Sequence, residues 1–138
     1  MRAGEGVFVD TGAWLALALL RDPHHERAAS AWEELLAGGA HLHTSVPVIL
    51  ETFTFLERNV SRDVALAWKD SLGEVRRLRV LDLRSPQLPQ VWSWFRRRDL
   101  HKLSAVDAAS FVVMTETKLR LAFTFDQHFA AAGFRTIG

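Results

Sequence analysis

The stretch that most constrains the fold lies at the start of the chain: Val7-Phe8-Val9-Asp10, followed at once by Thr11-Gly12 and the apolar run Ala13 to Leu20. A short β-rich run that passes into a run of helical period reads as a buried strand feeding a helix. That unit recurs. His41-Leu42-His43-Thr44 is a second strand, and Ser45, as an N-cap with Pro47 in the first turn, opens a helix reaching about Asn59. Arg79 to Leu83 gives a third strand, Leu121 to Phe125 a fourth and Phe134 to Ile137 a last. Between them the pattern predicts helices from Thr11, as N-cap, to Asp22-Pro23, and over His24 to Leu36, Arg62 to Leu78, Pro86 to about Arg98, Ala105 to Leu119 and Asp126 to Ala132. Strands alternating with helices make a parallel sheet covered on both faces, an α/β/α sandwich.

Such a sheet collects ligands at the carboxyl ends of its strands. Asp10 ends the first strand, and Asp126 repeats its position after Leu121 to Phe125. The plain alternative for each is a helix cap. Glu51 is harder to explain that way. It stands among Val48, Leu50, Phe53 and Phe55, and Val48, Glu51 and Phe55 follow helical spacing, so the expectation is a carboxylate on an apolar face. Such a group must be paired with an arginine, protonated or bound to a cation. Asp107 stands in Ser104-Ala105-Val106-Asp107, a capping-box pattern, beside the small residues Ala108, Ala109 and Ser110.

Taken together, these acids suggest a shared pocket. Like charges about 5 Å apart repel by roughly 3 kcal/mol per pair at an effective dielectric of 20. Oxygen donors in that number select a hard divalent ion, Mg²⁺ or Mn²⁺, which places a water against a phosphate. The chemistry expected is phosphodiester hydrolysis.

Composition removes other classes. The chain has no cysteine, which excludes a disulfide framework, a thiolate metal site and a cysteine nucleophile. That usage suits a reducing compartment, and a cytoplasmic location is expected. No signal peptide is visible and no apolar run spans a bilayer, so no membrane partner is expected. With 138 residues and 49% hydrophobic content, one domain over 1–138 is expected. The net charge of +1 announces no global nucleic-acid field. The densest basic run, Arg96-Arg97-Arg98 with Lys102, precedes the Ser104 motif and can bind phosphates there or form a solvated helix end. Trp92 and Trp94, two apart on one helix, cannot both face the core with equal ease. Asp10-Thr11-Gly12 has no second Asp-Thr-Gly, which argues against an aspartic protease, and no Gly-x-Ser-x-Gly elbow is present.

The order Asp10, Glu51, Ser104-x-x-Asp107, Asp126 resembles the PIN-domain ribonucleases, and among them the VapC-like toxins of toxin–antitoxin pairs. The stretches that carry the resemblance are VFVDTGAWLAL, VPVILETFTFL, LSAVDAASF and LAFTFDQHFAAAGF, spread over nearly the whole chain. The resemblance implies a five-stranded parallel sheet of order 3-2-1-4-5, with the strands ending in Asp10 and Asp126 side by side. It implies an acidic quartet of Asp10, Glu51, Asp107 and Asp126 around a metal, with Thr11 and Ser104 supporting; Asp10 and Asp107 are expected as direct ligands, and Glu51 and Asp126 as ligands directly or through metal-bound water. It further implies Mg²⁺ or Mn²⁺, an RNA substrate, a silencing antitoxin and a homodimer. The rival is a nuclease-like module that binds RNA or antitoxin without turnover. Leu78 to Leu103 carries no signature of substrate choice.

Overall fold

In the computed structural model, which describes residues 2–138, the first strand is the middle of the sheet. β1 (Gly6–Val9) pairs in parallel with β2 (His41–Ser45) on one side and β4 (Leu121–Phe123) on the other. Val7 faces Leu42 across one ladder and Leu121 across the other. β3 (Arg79–Leu81) adds outside β2 and β5 (Arg135–Ile137) outside β4, giving the order β3-β2-β1-β4-β5. Successive strand side chains point to opposite faces, and Val7, Phe8 and Val9 are all fully buried. Both faces of the central strand are therefore covered, as the α/β/α reading expects.

The helices are α1 (Thr11–Ala18), α2 (His25–Ala37), α3 (Val46–Asn59), α4 (Arg62–Ser71), α5 (Leu88–Trp94), α6 (Ala105–Glu116) and α7 (His128–Ala131). α1 packs on α2 and α3, and α6 on α3, α5 and α7. Two aromatic clusters hold these groups. Trp14 lies 5.8 Å from Trp32 and 6.1 Å from Trp68; Phe111 lies 4.9 Å from Trp94 and 5.0 Å from Phe129. Buried polar groups are tied in as well. The Trp14 indole N–H donates to Thr44 Oγ1 at 3.1 Å, and that hydroxyl donates to the Val9 carbonyl at 2.9 Å, fixing α1 against the ends of β1 and β2.

Several boundaries differ from the sequence pattern. Asp10, not Thr11, is the N-cap of α1, and Thr11 is its first helical residue. α1 stops at Ala18, well before Asp22-Pro23. The predicted helix from Arg62 to Leu78 ends at Ser71 and tightens into a 3₁₀ turn at Leu72–Glu74. The helix predicted to reach Arg98 ends at Trp94, so Arg96 to Arg98 lie in the loop before α6 rather than on a helix end. Trp92 is exposed while Trp94 packs on Phe111, the division their spacing required. β4 ends at Phe123, leaving Thr124 to Gln127 as a turn before α7.

This order sets the position of the site. The chain leaves β1 toward β2 on one side, and β4 lies on the other. The carboxyl ends of β1 and β4 therefore flank a topological switch point, where crossing helices part and leave a crevice.

Candidate active site

Asp10 leaves β1 directly into this crevice, its backbone N–H donating to the Phe123 carbonyl of β4 at 3.0 Å. Although it occupies the N-cap position of α1, its side chain makes no capping hydrogen bond. Oδ2 instead accepts from the Thr124 hydroxyl at 2.9 Å, and Oδ1 is buried with no partner. The same Thr124 oxygen accepts the backbone N–H of Asp126 at 3.0 Å. One hydroxyl thus fixes the acids at the ends of two neighbouring strands.

Asp107 enters from α6. Its backbone N–H donates to Ser104 Oγ at 3.0 Å, and its Oδ2 accepts the Ser104 N–H at 3.4 Å, so the capping box is formed. Capping and clustering are not exclusive here. The carboxyl also approaches Asp126 and His128, and one ligand atom from each of these three lies within 4.8 Å of the others. Asp126 Oδ1 accepts the His128 backbone N–H at 2.9 Å, and the His128 ring Nδ1 stands 2.7 Å from the same oxygen.

Electrostatics report the crowding. Burial, then the charges of Asp107 and Asp126, push Asp10 up to about 7, against the pull of the Thr11 backbone N–H and the Thr124 hydroxyl. Asp107 is pushed up to about 6 by burial and then by Asp126, against its hydrogen bonds with Ser104. Burial pulls His128 down, but the His101 carbonyl and the carboxylates of Asp126 and Asp107 outweigh it and hold the ring above its ordinary value. Without a cation the pocket must keep protons it would lose in water.

Glu51 stands apart. The buried face of α3 is Val48, Thr52 and Leu56, whereas Phe55 is 42% exposed. Glu51 is half-buried at the edge of that face, not enclosed in apolar surroundings as its spacing with Val48 and Phe55 suggested. The turn angle explains this: i and i+3 differ by about 60° around the axis, enough to pass from core to rim. Among the described residues it makes no ion pair; it lines a cleft of about 570 Å³ with Pro47, Leu50, Arg58 and Val106, the last being the neighbour of Asp107.

Of the supporting residues, Ser104 caps α6 and Thr11 is buried with its hydroxyl unpartnered beside Asp10. Arg97 is already engaged, 2.6 Å from Asp99 and lying over the Trp94 ring. Arg96 and Arg98 are exposed, and Lys102 lines a cleft of about 640 Å³ with His101, Phe125, Asp126 and His128. Sequence reasoning missed Thr124 and His128. Both lie inside the quoted stretch around Asp126, at two residues before and two after it.

A family model for the PIN domain matches residues 7–135. The chain belongs to the PIN-domain family. It is 34% identical over 128 residues to the 23S rRNA-specific endonuclease VapC20 of Mycobacterium tuberculosis, covering 93% of this chain and 95% of that protein. The crystal structure of VapC20, described as a sarcin-ricin loop cleaving toxin, superposes with a TM-score of 0.79 over the same shares. FitAcB from Neisseria gonorrhoeae (TM-score 0.70, 14% identity, 96% of each chain) has the same fold. So does VapBC2 from Rickettsia felis bound to promoter DNA (TM-score 0.70, 12% identity, 95% of this chain and 96% of that one). PIN domains are nucleases that use divalent metal ions, and the donors present here fit such an ion. They are oxygen-rich and mutually repulsive, and Asp10 Oδ1 is a buried acceptor with nothing to accept.

Proposed function

We propose that this chain is an endoribonuclease dependent on Mg²⁺ or Mn²⁺, the toxin of a toxin–antitoxin pair, acting in the cytoplasm. The observation that carries the reading is the buried, unpartnered Oδ1 of Asp10, whose nearest charges are Asp107 and Asp126, in a pocket where those two acids also gather with His128. Asp10, Asp107 and Asp126 hold the cation, and Glu51 reaches it from the rim, directly or through water. A divalent ion bound there polarises a phosphoryl oxygen and lowers the pKa of an attacking water.

The chain's own residues do the rest. Thr124 keeps Asp10 and Asp126 in register, and the Ser104 capping box keeps Asp107 turned into the pocket. Lys102, at the mouth of the cleft beside Asp126, with Arg96 and Arg98 in the same loop, supplies positive charge for an RNA backbone. The 34% identical relative acts on 23S rRNA, so large-subunit ribosomal RNA is the substrate to assay first.

Partners follow the same line. A groove of about 760 Å³ between α1, α2 and α4, lined by Trp14, Leu17, Trp32, Leu36, Val64 and Trp68, offers an apolar seat for a helix of an antitoxin. Leu50 and Phe55, exposed on α3, supply apolar surface for a homodimer. No helix is long and apolar enough among the described residues to cross a membrane.

The deciding experiment is cleavage of ribosomal RNA by wild type and Asp10→Asn, each with Mg²⁺, with Mn²⁺ and with excess EDTA. Cleavage should require both the metal and Asp10. Full activity in EDTA, or in the variant, sinks the proposal.

A further inference from the structure

We propose that His128 is a nitrogen ligand of the divalent cation, so that the pocket takes Mn²⁺ and later transition ions ahead of Mg²⁺. This rests on the reading above that the acids hold a cation.

The ring is set for the role by its far side. His128 Nε2 lies 2.7 Å from the backbone carbonyl of His101. A carbonyl only accepts, so Nε2 carries the proton, and the neutral ring has its lone pair on Nδ1. Metal-bound histidines are oriented in this manner, with the second ring nitrogen donating to a carbonyl or carboxylate. The turn that presents the His101 carbonyl continues through Lys102 at φ 59°, a left-handed conformation uncommon outside glycine.

The near side faces the carboxylates without an aligned hydrogen bond. Nδ1 is buried and makes no hydrogen bond. It stands 2.7 Å from Asp126 Oδ1 and 3.9 Å from Asp107 Oδ2, and the shorter contact is not aligned as a hydrogen bond. Around an ion with metal–ligand distances of about 2.1 Å, adjacent donors are about 3 Å apart and opposite ones about 4.2 Å. The two separations therefore suit one coordination sphere. Independently, Asp10 is buried and keeps an unpartnered Oδ1, and Asp107 and Asp126 are the charges that act on it.

A role as a mere prop for Asp126 is already filled. The backbone N–H of His128 donates to Asp126 Oδ1, and Thr124 holds the Asp126 N–H. Neither bond needs an imidazole. What an imidazole adds is a softer donor, which shifts preference from Mg²⁺ toward Mn²⁺ and Co²⁺.

The test is pulsed EPR on untagged protein carrying less than one equivalent of Mn²⁺, with calorimetric titration of Mn²⁺ and Mg²⁺. Wild type should show ¹⁴N modulation from a directly bound imidazole. His128→Ala should lose it, and His41→Ala, at an exposed strand position, should keep it. Affinity for Mn²⁺ should fall about tenfold or more in His128→Ala, and affinity for Mg²⁺ by clearly less. If wild type binds Mn²⁺ without ¹⁴N coupling, the inference is overturned while the cation reading stands. Equal losses for both ions also overturn it, making His128 a structural support. If wild type binds neither ion, both fall.

Discussion

Asp107 of α6 and Glu51 of α3 come from helices that touch each other, yet they meet the rim on different terms. Asp107 is 9% exposed, tied by the Ser104 capping box and gathered with Asp126 and His128. Glu51 is half-buried, with no ion pair among the described residues and an open cleft beside it. One acid is positioned before any ligand arrives; the other has side-chain freedom to lose on binding. In the proposed reading, the difference separates a fixed cation seat, built on β1, β4 and α6, from an arm that completes it.

The largest effects should fall on the fixed seat. Asp10→Asn should lower metal-dependent RNA cleavage by about three orders of magnitude or more, because it removes a ligand whose position no neighbour can assume. The same variant should melt no lower than wild type without metal. Asp10 is held at about 7 against an ordinary 3.8, so the folded state binds more protons than the unfolded state between those values. Its contribution to stability is fully present below about pH 4 and is lost as pH rises through 7. Metal-free wild type should therefore weaken between pH 4 and 7, by up to about 1.4 kcal/mol per pH unit for each such group. Stabilisation by Mn²⁺ should grow over the same interval. Thermal melts across pH, with and without Mn²⁺, check both. A flat wild-type profile would break the claim that the seat is strained without its ion.

Glu51→Gln is the matching test of the arm. Cleavage should fall about ten- to a hundredfold, less than for Asp10→Asn, with little change in metal-free melting temperature. A loss as large as that of Asp10→Asn would erase the distinction and make Glu51 part of the fixed seat. Thr124→Val sharpens the comparison from the other side. It keeps the shape but removes the hydroxyl that holds Asp10 Oδ2 and the Asp126 N–H. Metal affinity should weaken about tenfold, and the pH dependence of melting should steepen, because a hydrogen bond favouring ionised Asp10 is gone.

The same division marks how far the sequence could be read. The βα alternation around Val7-Phe8-Val9-Asp10 led to the sheet, because alternating period and apolar content are local signals. Asp10, Asp107 and Asp126 were visible as strand-end and capping positions for the same reason. The spacing of Val48, Glu51 and Phe55 points to one apolar face, but i, i+3 and i+7 share a face only loosely, and the buried face of α3 falls on Val48, Thr52 and Leu56. Thr124 and His128 went unseen as site residues because their roles are relational. Thr124 acts by reaching Asp10, and His128 by facing Asp107 and the His101 carbonyl. No window of sequence holds those pairs. The observed ends of α1, α4 and α5 fall before those the periodicity predicts, and helix ends are where sequence pattern is weakest.

The smallest effects should come from the basic loop, where seat and arm both hand over to substrate. The run Arg96-Arg97-Arg98 is not uniform. Arg97 is bound to Asp99 and stacked over Trp94, so its charge is already spoken for, while Arg96 and Arg98 are exposed. An exposed guanidinium near a phosphate acts mainly through counterion release, so its loss is felt in binding and in salt dependence rather than in turnover. Arg96→Ala and Arg98→Ala should each raise KM about two- to threefold and flatten the salt dependence of RNA binding, with kcat unchanged. Arg97→Ala should leave the salt slope as it is and loosen the loop before Ser104 instead. Binding isotherms at several salt concentrations separate the cases. Equal slopes in all four proteins would remove this loop from the RNA path and leave Lys102 as the positive charge lining the cleft beside Asp126.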